Sequence, residues 1–173
     1  KRFVSTSEIE RASENYLRGY WNCSSDRPDA HLMLAIGTNN QALIGTGSPS
    51  SLTQEHGAAW ASMVKNVSNW VSNQTGLCII DRRPTSCSYS GKISVAGAID
   101  IEDWSGAADR HNTEAWATAY ASNTKNFYYN FGSCDYCALG NPVFFPSDLN
   151  TDYLWYVSWG LANAYTVPEI KET

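Results

Sequence analysis

The amino-acid sequence predicts a mixed α/β domain with a mainly parallel sheet covered by helices. Its 173 residues, 43% of them hydrophobic, suffice for one buried core and are few for two, so 1–173 is expected to be a single domain. Apolar residues recur at helical spacing in three segments, and short apolar runs typical of strands lie between and after them. The order helix, strand, helix, strand, helix, strand, strand favours parallel pairing.

The amino-terminal part of the chain predicts a helix followed by a strand. Residues Ser5–Glu8 match a capping box, and apolar side chains then recur at helical spacing over 9–20. The run His31–Gly37 is short and apolar, which favours a buried strand. Residues 38–51 are rich in Gly, Ser and Asn and are expected to form a loop.

A second helix is predicted next. Ser51 and Gln54 form a capping pair ahead of an apolar stripe over Ala59–Val71. The following segment, Gly76–Gly91, contains two cysteines and is expected to be irregular.

The second half of the chain begins with the run Ile93–Glu102, which predicts a second buried strand that ends in acidic residues. Asn112 is expected to cap a third helix. Two further strands are expected at Asn126–Phe131 and Leu154–Trp159, separated by a C-x-x-C motif and a proline-containing loop.

Charge and hydropathy exclude two classes of partner. The net charge is -5 and the twelve Lys and Arg residues are scattered, whereas nucleic-acid-binding proteins carry a clustered basic surface. No apolar run approaches the roughly 18 residues that a membrane-spanning helix needs. We therefore expect neither a nucleic-acid partner nor a membrane span.

Cysteines and glycosylation motifs indicate secretion. Cys78 and Cys87 bracket a polar loop and Cys134 and Cys137 form the C-x-x-C, so two local disulfides with Cys23 unpaired are the simplest arrangement in an oxidising compartment. Three N-x-S/T triplets would accept glycans in a glycosylating host, and otherwise they are polar turns or helix faces. Their asparagines are Asn22, Asn66 and Asn73.

The acidic end of the second strand is the candidate catalytic site. Asp100 and Glu102 are two residues apart, so on a strand they share a face about 6.6 Å apart along the chain. Ligands of α/β folds bind at the carboxyl ends of parallel strands, where Asp103 and Trp104 follow. Glycosidases need two carboxyl groups at about 5–9.5 Å. The alternative is a pair of strand-end acids that bind water, cap a helix or pair with arginines.

Other chemistries find little support in the sequence. The three histidines are dispersed and a single C-x-x-C lacks a partner motif, so we expect no metal site and interpret Cys134 and Cys137 as a structural disulfide. Motifs of serine hydrolases, P-loops and dinucleotide sites are absent from the sequence, and no cofactor is expected. Aromatic residues make up 13% of the chain, which fits either an aromatic core or sugar-stacking surfaces.

Four segments together carry a family resemblance: Val95–Trp104, Asn112–Tyr120, Tyr128–Ser133 and Leu154–Gly160. As a set they resemble a glycoside-hydrolase-like TIM-barrel domain of secreted microbial proteins, over most of residues 30–170. The acid-bearing strand is also similar to the D-x-E strand of lysozyme-type muramidases.

The resemblance implies a (β/α) barrel with Asp100 and Glu102 at its catalytic mouth and Glu102 as the general acid. Tyr129, Asn130 and Trp159 would then lie at the ends of later strands and face a saccharide. A full barrel needs eight strands and about 250 residues. The four or five strands predicted here therefore imply either a fragment of a longer barrel or a barrel reduced to an open sheet.

Two functional hypotheses follow, and the sequence leaves open whether the chain is an enzyme. The first is a secreted carbohydrate-active domain, glycoside hydrolase-like, that uses the carboxylate pair on a glycan or polysaccharide. The second is a non-enzymatic secreted module on a degenerate barrel scaffold, serving as a surface, assembly or carbohydrate-binding domain. Open sheet edges would allow the second kind of protein to self-associate.

Overall fold

The fold was analysed in a computed structural model, which describes residues 4–39, 53–101, 110–132 and 155–167. Within these ranges lie three α-helices and six strands. The helices are α1 (Thr6–Ser24), α2 (Gln54–Asn73) and α3 (Arg110–Asn123), and the strands are β1 (Leu32–Asn39), β2 (Thr75–Ile80), β3 (Arg83–Ser88), β4 (Ile93–Asp100), β5 (Tyr128–Asn130) and β6 (Ala164–Thr166). Strands β2, β3 and β4 follow one another without an α-helix between them.

Four strands form a parallel sheet in the order β1-β4-β5-β6. The predicted mixed α/β fold with a mainly parallel sheet is thus confirmed. Leu34 and Ile36 of β1, and Val95 and Ile99 of β4, point to the side on which the helices pack. There Trp60 of α2 donates its indole N–H to the carbonyl of Ile36 at 3.0 Å.

Capping explains where the first two helices begin. Ser5 and Glu8 form the predicted capping box, in which the Glu8 amide donates to Ser5 Oγ at 3.3 Å and the Ser5 amide donates to Glu8 Oε2 at 3.0 Å. The cap of α2 is Thr53, whose hydroxyl accepts from the amide of His56 at 3.1 Å. Ser51, the predicted cap, lies outside the described residues.

Three local predictions are wrong. Residues 75–88 form an antiparallel hairpin of β2 and β3 and are not irregular. Asn112 lies inside the first turn of α3, because that helix already begins at Arg110. Residues 155–160 are helical, with a π-helical turn over Tyr156–Gly160, and do not form a strand.

Helices α2 and α3 pack closely where they cross. Gly57 makes this possible, because a Cβ there would lie 2.9 Å from Cα of Trp116. Trp116 and Tyr120 stack with ring centroids 5.5 Å apart, and both rings meet Tyr128 of β5 edge-on. This aromatic cluster joins the helical layer to the middle of the sheet.

No helix in the described ranges is long and apolar enough to cross a bilayer. The disulfide predicted between Cys78 and Cys87 is present and staples the β2–β3 hairpin. Cys134 and Cys137 lie outside the described residues.

Candidate functional site at the carboxyl end of the sheet

The carboxyl ends of the four parallel strands meet at one edge of the sheet. Asn39 of β1 is the register partner of Asp100 of β4, while Asn130 of β5 pairs with both Ile99 and Thr166. The polar ends of neighbouring strands are therefore about 4.8 Å apart, the spacing of paired strands. This is the edge at which α/β folds bind ligands.

The sheet face opposite the helices carries Asp100. Side chains alternate along β4, so Asp100 shares a face with Ala98, whereas Ile99 points to the helices. The same alternation puts Asn39 and Gly37 of β1 on the face of Asp100. Asp100 is half-buried and Asn39 is exposed. We call this side of the sheet the open face, defined by Gly37, Asn39, Ala98 and Asp100.

A groove of about 520 Å³ runs over the open face just below Asp100. Ala35, Gly37 and Ala98 supply its small residues, and Tyr129 and Phe131 supply its aromatic ones. Phe131 extends the line of β5, since its amide donates to the carbonyl of Ile99 at 3.0 Å. The groove thus combines small side chains, which leave room, with two rings that can stack on a ligand.

Asn130 lies on the other face of the sheet. Its side chain is buried, donates through Nδ2 to Ser158 Oγ at 3.0 Å and accepts through Oδ1 from the amide of Gly132 at 3.1 Å. A Cβ at Gly132 would overlap the carbonyl of Ile101. Asn130 therefore links Gly132, just after β5, to Ser158 of the π-helical turn, and it does not face the groove.

Trp159 is also separated from the groove. The π-helical turn that carries it packs on the helix side, where Tyr128 donates its hydroxyl to the carbonyl of Val157 at 2.6 Å. Trp159 is 56% exposed on that turn. Of the predicted sugar-contacting residues that the structure describes, Tyr129 is thus the one on the face of Asp100.

Three further predicted site residues, Glu102, Asp103 and Trp104, lie outside the described residues. All three predicted glycan acceptors are exposed, on α1 for Asn22 and on α2 for Asn66 and Asn73.

A histidine that the sequence did not single out joins α2 to α3. Trp116 donates its indole N–H to Nδ1 of His56 at 3.1 Å, and the His56 ring also lies 5.3 Å from that of Trp60. Burial lowers the pKa of His56, which favours the neutral form that this hydrogen bond requires. Burial likewise raises the pKa of Tyr120, whose hydroxyl accepts from the amide of Gly97 at 3.1 Å.

A second cavity of about 640 Å³ lies between the outer surfaces of α2 and α3. Glu55, His111 and Glu114 are among its lining residues, and Tyr156 closes one side. No group of three side chains that could together hold a metal ion occurs in the described part of the chain.

No family model, curated protein or solved structure matches this chain. Its function is therefore inferred from the residues of the site.

Proposed function

We propose that the chain is a secreted carbohydrate-active domain, glycoside hydrolase-like, whose site lies at the carboxyl end of β4. The observation that carries this proposal is the position of Asp100. It stands on the open face at the end of a central parallel strand, two residues beyond Ala98, which lines the groove together with Tyr129 and Phe131. A carboxylate above aromatic rings suits a sugar, because rings stack on its apolar face while acids contact its hydroxyl groups.

The open face also supports a partial barrel. Parallel sheets are normally covered on both faces. Among the described residues, the helices cover one face, while the other exposes Met33, Phe131, Tyr165 and Val167. In a (β/α) barrel the face opposite the helices is the interior, and active sites lie at its carboxyl end. We propose that this sheet is part of such a barrel, as the resemblance implies.

The proposed chemistry assigns distinct roles to the two acids. Glu102 donates a proton to the glycosidic oxygen, so that the bond to the leaving sugar breaks with a neutral leaving group. Asp100 stays ionised and stabilises the positive charge that develops on the sugar ring, or activates the water that adds to it. Tyr129 stacks on a bound ring, and Asp103 and Trp104 are assigned to contacts with the same substrate.

Asn130 and Trp159 have more distant roles in this proposal. Asn130 positions the segments next to the site through Gly132 and Ser158. Trp159 would contact a part of the glycan that extends around the edge of the sheet.

The decisive experiment compares Glu102→Gln and Asp100→Asn with the wild-type chain in release of reducing ends from a panel of polysaccharides. Loss of the acid should lower kcat by about 10²–10⁴-fold, the usual contribution of general acid catalysis. Asp29→Asn is the matched control, because Asp29 is an exposed carboxylate in the loop before β1. Unchanged activity of Glu102→Gln, at an unchanged melting temperature, would refute the proposed role.

Exposed apolar residues of the sheet favour one alternative, a non-enzymatic assembly or carbohydrate-binding module. Within the described residues β1 and β6 are the outer strands of the parallel sheet, and outer strands can pair with another chain. Size-exclusion chromatography tests assembly, since a strictly monomeric species of 19.1 kDa would argue against it. Glycan binding without cleavage, lost in Tyr129→Ala, would indicate a binding module.

Secretion and glycosylation are part of the same proposal. The disulfide between Cys78 and Cys87 is typical of oxidising compartments, and the three candidate acceptors are exposed. Asn66 donates through Nδ2 to Glu10 Oε2 at 3.2 Å, and a glycan there would replace this contact. The intact mass of the natural protein, before and after enzymatic deglycosylation, tests whether the acceptors carry glycans and, through the glycans, whether the chain is secreted.

A further inference from the structure

The β2–β3 hairpin is anchored at its base and exposed at its tip. Tyr89, just after β3, stacks on Trp21 of α1 with ring centroids 4.3 Å apart, and its amide donates to the carbonyl of Gln74 at 3.0 Å. The disulfide joins the two strands, with Cys78 buried. An isolated two-stranded hairpin is marginally stable in water, so these contacts fix it to the body of the domain.

Aliphatic side chains are concentrated on the outer part of this hairpin. Leu77 is 73% exposed, Ile79 is 40% exposed and Ile80 is 54% exposed. Pro84, also exposed, is the register partner of Ile79. Leu77, Ile79 and Pro84 share one face of the hairpin, while Ile80 points to the opposite face next to the tip. Single exposed apolar residues are common, whereas an apolar patch such as the first three residues form marks an interaction surface.

The tip of the hairpin is basic. Asp81 and Arg82 form a two-residue turn with φ of 49° and 63°, as in the type I′ turns of tight hairpins. Arg82 and Arg83 are both exposed. In a chain of net charge -5, the tip therefore carries two cations and one anion, Asp81, and its net charge is positive next to the aliphatic side chains.

We propose that this hairpin docks the domain peripherally on an anionic phospholipid bilayer. Interfacial binding of proteins combines apolar side chains in the boundary between headgroups and acyl chains with basic side chains on the lipid phosphates. Leu77, Ile79 and Ile80 provide the first element, and Arg82 and Arg83 provide the second. The net negative charge of the whole chain is repelled by an anionic surface, so we expect the chain to contact the lipid through the basic tip.

The topology orients the docked domain. The hairpin leads into the amino end of β4, through Tyr89 and the short helical turn that ends at Gly91. Asp100 lies at the opposite end of the same strand. Docking through the hairpin would therefore leave the carboxyl edge of the sheet directed away from the lipid.

Vesicle flotation of the disulfide-intact chain tests the proposal. We expect binding to vesicles of phosphatidylcholine with phosphatidylglycerol, weaker binding at high salt, and little binding to phosphatidylcholine alone. The double variant Arg82→Asn, Arg83→Gln should bind anionic vesicles roughly 30-fold more weakly, since each basic residue near such a surface contributes about 1 kcal/mol. Asn is chosen at position 82 because it tolerates positive φ.

The aliphatic contribution is tested separately. Replacing Leu77, Ile79 and Ile80 by Thr keeps strand propensity and should lower binding at least tenfold. The matched control replaces two exposed apolar residues near the amino terminus, Val4→Thr and Tyr16→Thr, which are 63% and 56% exposed. Circular dichroism and melting temperature establish that each variant is folded.

Three results would overturn the proposal: no flotation with anionic vesicles, flotation that the folded hairpin variants leave unchanged, or equal loss of binding in the control. A wild-type dimer that the Thr variants convert to monomers, without lipid binding, would show instead that a second copy covers the patch. None of these results depends on the activity proposed for Asp100 and Glu102.

Discussion

The crossing of α2 and α3 gives a sharp test of the fold. A Gly→Ala substitution usually stabilises a helix, but at this crossing we expect it to destabilise the chain. Gly57 lies against the backbone of Trp116, and a Cβ would come within 2.9 Å of the Trp116 Cα and closer still to its carbonyl oxygen. Gly19 of α1 is the matched control, since a Cβ there meets nothing within 4 Å.

The expected magnitudes have opposite signs. In a helix, Ala is more favourable than Gly by about 0.5–1 kcal/mol, so Gly19→Ala should stabilise the chain by that amount. At Gly57 the same gain is opposed by overpacking, which costs about 1–3 kcal/mol. The upper end applies because the atoms of Trp116 in the way belong to the backbone and cannot move aside by a rotamer change. Gly57→Ala should therefore destabilise the chain by about 2 kcal/mol.

Thermal unfolding followed by circular dichroism is a suitable assay. In a domain of this size 1 kcal/mol corresponds to about 2–4 °C. We expect the melting temperature to fall by about 4–8 °C in Gly57→Ala and to rise by about 1–4 °C in Gly19→Ala. Equal stabilisation by both substitutions would refute the close packing of α2 on α3, and with it the arrangement that places the helical layer behind β4.

Three further predictions concern the hairpin and His56. Removing the disulfide by Cys78→Ser with Cys87→Ser should lower the free energy of unfolding by about 3 kcal/mol in urea titrations, because the unfolded chain regains the entropy that closing a loop of this size removes. Arg82→Gly should raise the melting temperature, since it relieves about 1 kcal/mol of left-handed backbone strain. The pKa of His56 is depressed in the fold, so the stability from its neutral form is complete above its ordinary pKa of 6.5 and is lost as the pH falls below it. Urea midpoints measured from neutral to acidic pH should show this loss in the wild type and less of it in His56→Asn, whose side-chain oxygen lies near the position of Nδ1 and can accept from Trp116.

Periodicity predicted the elements whose burial follows one face. The capping box and apolar stripe of α1, the stripe of α2 and the apolar runs of β1 and β4 all belong to this class. The hairpin was missed because β3 bears Arg, Pro, Thr and Ser without an apolar face, and its turn is Asp81-Arg82 where tight hairpins usually carry Asn or Gly. A disulfide and the stack of Tyr89 on Trp21 compensate for that weak local signal.

The segment 155–160 shows tertiary contacts overriding strand propensity. Its aromatic and β-branched composition favours a strand. In the structure Val157 and Ser158 are buried, and they are held against β5 by the hydroxyl of Tyr128 and the amide of Asn130. These partners lie 28 and 29 residues away in the sequence, so no local pattern indicates them.

The candidate site was predicted to the extent that it depends on one strand. An apolar run ending in an acid indicates where β4 stops, and this alone gives the position of Asp100. Which residues of β5 share its face depends on register, because a shift of one residue moves every side chain to the opposite face. In the observed register Ile99 pairs with Asn130, so Tyr129 lies beside Ala98 on the open face and Asn130 turns to the helices. The same register brings Phe131 next to Asp100, which makes Phe131→Ala a more direct test of sugar stacking at the proposed site than any change at Asn130.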